Sequence, residues 1–269
     1  MHPVLIRLGA LQISTYGVLV AAGYMTGILW LKTQIRDMPG IKGSEDKFWT
    51  LIYIQFFGAV MGGKLLFMAA TWRLYASGEL SFFGDFRYGF VFFGGLLGSM
   101  VTGVYACRRL KLPYLGTADY FGVALPMGHT LGRLACLFAG CCYGKVTNMP
   151  WGVAAGGSPA SSTPPELWGL HLHPTPVYES AANAAIFSFL LAKVLPKIKK
   201  GRLPAGTAFL LYVLLYSAAR FVIEFYRGDD RGFSYGGLWV SQWIAVACAG
   251  GCSAVLARIG AFRRLRAAA

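Results

Sequence analysis

Apolar residues fall into seven long runs along the chain, separated by shorter segments rich in charged residues, glycine and proline. A helix rises about 1.5 Å per residue, so about 20 apolar residues cross the roughly 30 Å hydrocarbon core of a bilayer. The pattern predicts seven transmembrane helices, at residues 16–31, 49–70, 88–106, 118–140, 177–195, 205–226 and 238–257. We therefore expect an all-α membrane protein, a polytopic bundle that forms a single integral domain over residues 1–269.

The composition agrees with this expectation. Hydrophobic residues make up 56% of the chain and charged residues only 13%, which lies outside the range of soluble domains. The opening segment, MHPVLIRLGALQISTYG, lacks the clear basic region and cleavage site of a secretory signal peptide. We expect the first helix to remain in the mature protein.

The distribution of lysine and arginine predicts the orientation in the membrane. Fifteen of these residues follow the first, third, fifth and seventh predicted helices, whereas six lie in the connections on the other side. Cytoplasmic loops are enriched in basic residues, so we expect an outer N-terminus, a cytoplasmic C-terminus and a long outer-face loop at about residues 143–175. A basic rim beside anionic lipids also explains the net charge of +14, and we expect membrane lipids, not nucleic acid, as partners.

Seven ionisable residues lie inside the predicted helices. Each costs on the order of 3 kcal/mol at the bilayer centre unless it faces a wet or paired interior. They are Lys64, Asp119, His129, Arg133, Glu179, Arg220 and Glu224. Any one of them could simply join two helices, but the whole set predicts a polar cavity within the bundle.

The sixth predicted helix carries a polar stripe. At 100° per residue, a stripe about 80° wide contains Tyr216, Arg220, Glu224 and Arg227. Arg220 and Glu224 are four residues apart and can pair, which lowers the cost of burying them. A structural ion pair that locks the bundle is the alternative interpretation.

The fourth predicted helix repeats this spacing with His129 and Arg133. Guanidinium groups are permanently charged and bind phosphate through two parallel hydrogen bonds. Arg133 and Arg220, from different helices, could therefore clamp one phosphate. In a bilayer the anion that fits this clamp is a phospholipid head group.

A third polar cluster ends the long outer loop, in the stretch HLHPTPVYES. Its prolines fix a rigid entry into the fifth helix. It brings four polar side chains to the outer interface: His171, His173, Tyr178 and Glu179. The alternative is an interfacial turn with Tyr178 in the aromatic belt of the membrane.

Three stretches carry a pattern that resembles one known family. They are GRLACLFAGCCYG at residues 132–144, HPTPVYES at 173–180 and RFVIEFYRGDD at 220–230. In this order they resemble the sequence elements of the bacterial prolipoprotein diacylglyceryl transferases. ISTYG at 13–17 and FFGGLLG at 92–98 are similar to further elements of that family, so the resemblance covers nearly the whole chain.

The resemblance implies an enzyme of the bacterial cytoplasmic membrane that needs no cofactor or metal. Such an enzyme moves the diacylglyceryl group of phosphatidylglycerol to the lipobox cysteine of a preprolipoprotein signal peptide, forming a thioether and releasing glycerol phosphate. By resemblance, Arg133 and Arg220 bind the phosphate and Glu224 orients Arg220. The residues expected to bind or position substrate are Tyr16, Tyr216, Arg227, Gly144, His173, Tyr178, Glu179, Gly94 and Gly95.

The chain also departs from the family pattern. Cys136, Ala139 and Cys141 stand where the family has two asparagines and a glutamate. Phe93 stands where the family often has a histidine to which the role of base is assigned. His129, one turn from Arg133, is the candidate to replace it as a catalytic residue.

The cysteines of the signature stretch leave several interpretations open. They can be packing residues, take part directly in the chemistry, or form a Cys136–Cys141 disulfide. A zinc site of His129, Cys136, Cys141 and Cys142 is a further alternative. Two other function classes also fit: a paralogue that binds phospholipid but uses another acceptor or none, and a membrane thiol-redox protein or transporter.

Overall fold

The computed structural model describes residues 2–8, 11–81, 84, 89–158, 160–230 and 232–261. Residue 88, at the start of the third predicted helix, lies outside these ranges. So do five of the arginines used to predict the orientation in the membrane: Arg87, Arg231, Arg263, Arg264 and Arg266. The chain divides into two compact units, one formed by Met1–Leu31 with Ala118–Ala269 and the other by Lys32–Thr117. The single domain over the whole chain remains a prediction.

Helices dominate the secondary structure. The helices are α1 (Thr15–Thr33), α2 (Glu45–Ala70), α3 (Trp72–Ala76), α4 (Phe92–Arg109), α5 (Tyr114–Ala139), α6 (Thr175–Phe189), α7 (Leu195–Lys199), α8 (Thr207–Ile223) and α9 (Val240–Arg258). A π-helical turn at Leu190–Val194 joins α6 to α7, and the 3₁₀ turns are Pro165–Leu167 and Glu224–Tyr226. Among the described residues there are also three short antiparallel pairs: β1 (Val4–Leu8) with β2 (Leu11–Ser14), β3 (Val153–Ala154) with β4 (His171–Leu172), and β5 (Ser234–Tyr235) with β6 (Leu238–Trp239).

Within the described residues, five helical segments are long and apolar enough to cross a membrane. They are Glu45–Ala70, Tyr114–Ala139, Thr175–Lys199, Thr207–Tyr226 and Val240–Arg258. The chain is therefore a helical, multi-pass membrane protein. Helices α1 and α4 occupy the two remaining predicted positions but are not among these five, so the count of seven stays a prediction.

In the smaller unit, α2 and α4 pack against each other through glycine residues. A Cβ atom on Gly94 would collide with the carbonyl oxygen of Gly62, and one on Gly98 would collide with that of Gly58. Small residues allow such close approach of two helix backbones. Lys64 is buried in this unit, and its ammonium group lies 5.5 Å from the ring centre of Phe67.

In the larger unit, Asp119 on α5 caps the N-terminus of α8. Its carboxylate accepts backbone hydrogen bonds from Gly206 at 2.7 Å, Ala208 at 2.7 Å and Phe209 at 3.2 Å. A carboxylate there is stabilised by the unpaired N–H groups and by the positive end of the helix dipole. Asp119 therefore joins two helices, the alternative that the sequence left open for any one of these ionisable residues, and it supplies the cap because α8 has no capping side chain of its own.

Candidate active site

A buried carboxylate, Glu179 near the start of α6, joins three arginines in the larger unit. Its Oε1 lies 2.7 Å from Nη1 of Arg220 and 3.1 Å from Nη1 of Arg227, and its Oε2 lies 2.8 Å from Nε of Arg133. The side chain of Glu179 is only 1% exposed. Arg133 and Arg220, which the sequence predicts on two different helices, therefore meet around one carboxylate.

The geometry of the Arg133 contact differs from the other two. Arg133 Nε is at ion-pair distance from Oε2, but Oε2 accepts no hydrogen bond from any residue that the structure describes. The two groups are thus attracted by charge without an aligned N–H bond. Arg220 and Arg227, in contrast, each donate a hydrogen bond to Oε1.

Two further carboxylates balance the arginines. Glu224 pairs through Oε2 with Nη2 of Arg220 at 2.7 Å and accepts a 2.5 Å hydrogen bond from Ser241 on its other oxygen. Asp229 receives two hydrogen bonds from Arg227, at 2.9 Å and 2.6 Å. Three guanidinium groups therefore face three carboxylates, which makes burial of all six charges tolerable.

The arginines differ in their access to the surroundings. The side chain of Arg227 is 1% exposed, whereas those of Arg133 and Arg220 are 22% and 13% exposed. Arg133 also donates from Nη2 to the hydroxyl of Tyr216 at 3.2 Å and from Nη1 to Sγ of Cys142 at 3.9 Å. The contact of Nη1 with sulfur is long and weak, so this edge of the guanidinium can take a better acceptor.

Aromatic side chains of α8 flank the arginine on α5. The hydroxyl of Tyr212 lies 2.8 Å from Nδ1 of His129, and the His129 and Tyr216 rings are 5.5 Å apart. His129, Arg133 and Tyr216 therefore form one group, as the spacing of the first two predicts. Tyr212 is a member of this group that the sequence analysis missed, although it lies one turn before Tyr216 on the same helix.

Gly144 lies where three segments of backbone cross. Its N–H donates to the carbonyl of His173 at 3.0 Å, and it forms an isolated β-bridge with Arg227. A Cβ atom at Gly144 would lie 2.5 Å from the Cβ of His173 and 2.8 Å from the carbonyl oxygen of Tyr226. Only glycine fits here, because of this close approach and not because of a special turn conformation.

The polar cluster at residues 171–179 forms an aromatic group around Tyr178. The Tyr178 hydroxyl lies 3.0 Å from Nδ1 of His173 and accepts a 2.7 Å hydrogen bond from Trp151. The ring of Tyr226 lies 5.2 Å from that of His173. His171 instead pairs through its backbone with Ala154 and leaves its side chain exposed.

The remaining predicted site residues are Tyr16, Gly94 and Gly95. Tyr16, at the start of α1, is 43% exposed and lies within electrostatic range of Arg133 and Cys142. Gly94 and Gly95 belong to the smaller unit, where they contact backbone of α2. Their expected contact with substrate remains a prediction.

The helical stripe of α8 is shorter than predicted. The α-helix ends at Ile223, and Arg227 has an extended backbone with φ −73° and ψ 141°. Arg227 reaches Glu179 from this extended segment and not from a helix face. Asp229, which pairs with Arg227, and Ser241, which donates to Glu224, could not be predicted from the sequence, because a partner two residues away or on another helix follows no helical periodicity.

The three cysteines of the signature stretch form a compact group. Their sulfur atoms all lie within 4.8 Å of one another, and no other His, Cys, Asp or Glu of the described residues joins them. His129 is thus not part of this group, and the four-residue zinc site was wrong. The neighbouring thiols of Cys136 and Cys141 and the positive charge of Arg227 lower the pKa of Cys142.

The fold and this site define a class of protein. Several apolar helices carry a buried network of arginines and carboxylates. Such a network suits the binding of an anionic group at membrane depth. The molecule is therefore a multi-pass membrane protein with a buried charged centre.

The comparisons with known proteins give the family. The family model described as prolipoprotein diacylglyceryl transferase matches residues 3–258, and the chain belongs to this family of transferases. Relatives named phosphatidylglycerol–prolipoprotein diacylglyceryl transferase occur in Clostridium tetani, 32% identical over 91% of this chain and 93% of the relative, and in Photobacterium profundum, 30% identical over 90% and 86%. A relative with the same name from Geobacter sulfurreducens is 30% identical over 86% of this chain and 84% of the relative.

Proposed function

We propose that this protein transfers the diacylglyceryl group of phosphatidylglycerol to the lipobox cysteine of preprolipoproteins. The observation that carries the proposal is the meeting of Arg133 and Arg220 around Glu179, with both arginines partly exposed. The names of the relatives supply the substrates. The reaction is the first step of lipoprotein maturation.

The chemistry requires a nucleophilic sulfur and a stabilised leaving group. The substrate thiolate attacks the carbon of the diacylglyceryl group that bears the phosphate, and a carbon–sulfur bond forms. The bond between this carbon and the phosphate oxygen breaks, and glycerol phosphate leaves with its electrons. Arg133 and Arg220 bind the phosphate oxygens and stabilise the charge that develops on them. Tyr216 fixes Arg133, and Glu224 orients Arg220.

The thiol proton also needs an acceptor. A free cysteine with a pKa near 8.5 is mostly protonated at neutral pH, so a base speeds the reaction. We assign this role to His129, which is one turn from Arg133 on α5 and is held by Tyr212. In this role His129 replaces the histidine that the family often has at the position where this chain has Phe93.

Other side chains position the substrates or the arginines. Glu179 and Arg227 act through the two exposed arginines, since both are almost fully buried. Gly144, His173 and Tyr178 shape the outer side of the site where a signal peptide would arrive. Tyr16 contacts the lipid or peptide.

The topology follows from the same proposal. Seven helices cross the bacterial cytoplasmic membrane, with the N-terminus outside and the C-terminus in the cytoplasm. The loop of residues 143–175 then lies on the outer face, where exported preprolipoproteins present their lipobox. The basic inner loops agree with this orientation.

The decisive experiment combines purified protein, vesicles of phosphatidylglycerol and a lipobox peptide. We expect a peptide mass increase of one diacylglyceryl group, dependent on the peptide cysteine, and no increase with phosphatidylcholine vesicles. Binding of phosphatidylglycerol without modified peptide would instead support a paralogue with another acceptor. His129→Gln should abolish most of the transfer without loss of lipid binding.

A further inference from the structure

We propose that Cys136, Cys141 and Cys142 form a binding site for a thiophilic metal ion such as Zn²⁺. Thiolate sulfur is the ligand type that such ions prefer. At a zinc–sulfur distance of about 2.3 Å, the sulfurs of a tetrahedral site lie roughly 3.8 Å apart. The separations in this protein, all within 4.8 Å, require only small side-chain movements to reach that geometry.

The end of α5 brings the first two thiols together. Gly140 has φ +74°, the N–H of Cys141 donates to the carbonyl of Cys136 at 3.1 Å, and the N–H of Gly140 donates to that of Leu137 at 3.3 Å. These bonds form a Schellman motif, in which the residue after the left-handed position packs on the last helical turn. The motif therefore places Cys141 beside Cys136.

The third thiol arrives through an unusual backbone conformation. Cys142 has φ +59°, a left-handed conformation that residues with a Cβ atom rarely adopt. Its carbonyl accepts a 2.6 Å hydrogen bond from Thr175, and Thr163 donates to the carbonyl of Gly140 at 2.7 Å. The outer loop and the start of α6 thus hold the turn, so the thiols are arranged before any ion binds.

The charges around the group favour an anionic complex. Three thiolates and one Zn²⁺ carry a net charge of −1. Nη1 of Arg133 lies 3.9 Å from Sγ of Cys142, and the positive charge of Arg227 acts on the same thiol. These guanidinium groups offset the extra negative charge. Since the described residues supply three protein ligands, a water molecule would take the fourth position.

The experiment measures zinc binding by the reduced full-length protein in detergent. After dialysis against zinc and removal of excess metal, we expect one bound zinc ion per chain. Bound zinc should protect three of the six cysteines from alkylation, identified by mass spectrometry of the labelled peptides. This protection map reports on the site without reference to transfer activity.

Serine variants locate the ligands. Cys136→Ser, Cys141→Ser and Cys142→Ser should each weaken zinc binding about tenfold or more. The double variant Cys248→Ser with Cys252→Ser on α9 is the matched control and should bind zinc like the original chain. If a serine variant fails to fold, the protection map of the original chain decides.

Several outcomes would overturn the site. The reduced protein could bind no stoichiometric zinc, protection could fall on other cysteines, or the triple serine variant could retain the ion. The reduced protein could also take up no zinc and then lose two of the signature thiols when the reductant is removed. This result would reject the metal site and identify a disulfide.

Discussion

Arg133 and Arg220 contact opposite oxygens of the Glu179 carboxylate, at 2.8 Å and 2.7 Å. They come from α5 and α8, and Glu179 comes from α6, so one buried charge holds three helices at a fixed separation. The same contact brings together the two guanidinium groups that we propose to bind the phosphate. Structure and proposed chemistry therefore depend on the same three side chains.

Conservative replacement of these arginines should remove activity. Lysine keeps the positive charge but loses the planar fork that binds two phosphate oxygens. We expect Arg133→Lys and Arg220→Lys each to lower the transfer rate roughly 100-fold or more. The measurement is the lipobox-peptide assay in phosphatidylglycerol vesicles. Arg258→Lys, at the exposed end of α9, is the control, and full activity in either site variant would reject the clamp.

Neutralising Glu179 should destabilise the protein. Glu179→Gln leaves the buried arginines with excess positive charge, and breaking such a network costs about 3–5 kcal/mol. Thermal unfolding in detergent should show a lowered Tm. Glu166→Gln, on an exposed 3₁₀ turn, should leave Tm unchanged.

A compensating change tests whether charge balance is the cause. Adding Arg227→Gln to Glu179→Gln removes one positive charge and should recover part of the lost stability. A double variant with the summed losses of the two single variants would show that the charges do not interact.

The crossing at Gly144 should tolerate no side chain. Gly144→Ala places a methyl group against His173 and the Tyr226 carbonyl, and such overpacking costs about 1–3 kcal/mol. Gly250→Ala, within α9 where a Cβ meets no atom within 4 Å, is the matched control and should not lower Tm. Equal Tm values for the two variants would contradict the close approach.

Removing the cap of α8 should affect stability more than catalysis. Asp119→Ala deletes the acceptor of three backbone N–H groups, and loss of a helix cap costs about 1 kcal/mol. We expect a lower Tm with transfer retained in the protein that remains folded. Asp46→Ala, exposed in the first turn of α2, should change neither quantity. Complete loss of transfer in folded Asp119→Ala would place this carboxylate in the reaction.

Much of the site was predictable because helical spacing is visible in a sequence. The pair His129 and Arg133 and the pair Arg220 and Glu224 lie on common helix faces as their spacing of four predicts. The family likeness, stated from three short motifs, is confirmed by a match over residues 3–258. Periodicity and motif order are local properties, so the sequence alone contains them.

The amino-acid sequence by itself determined the order of the apolar helices, the polar stripes on them and the family. The tertiary structure decided that Glu179 joins three arginines, that Asp119 caps a helix and that three thiols converge at the end of α5. The physical reason is that a buried charge must find its partner wherever the fold places one. Such partners lie far apart along the chain, so no spacing records them.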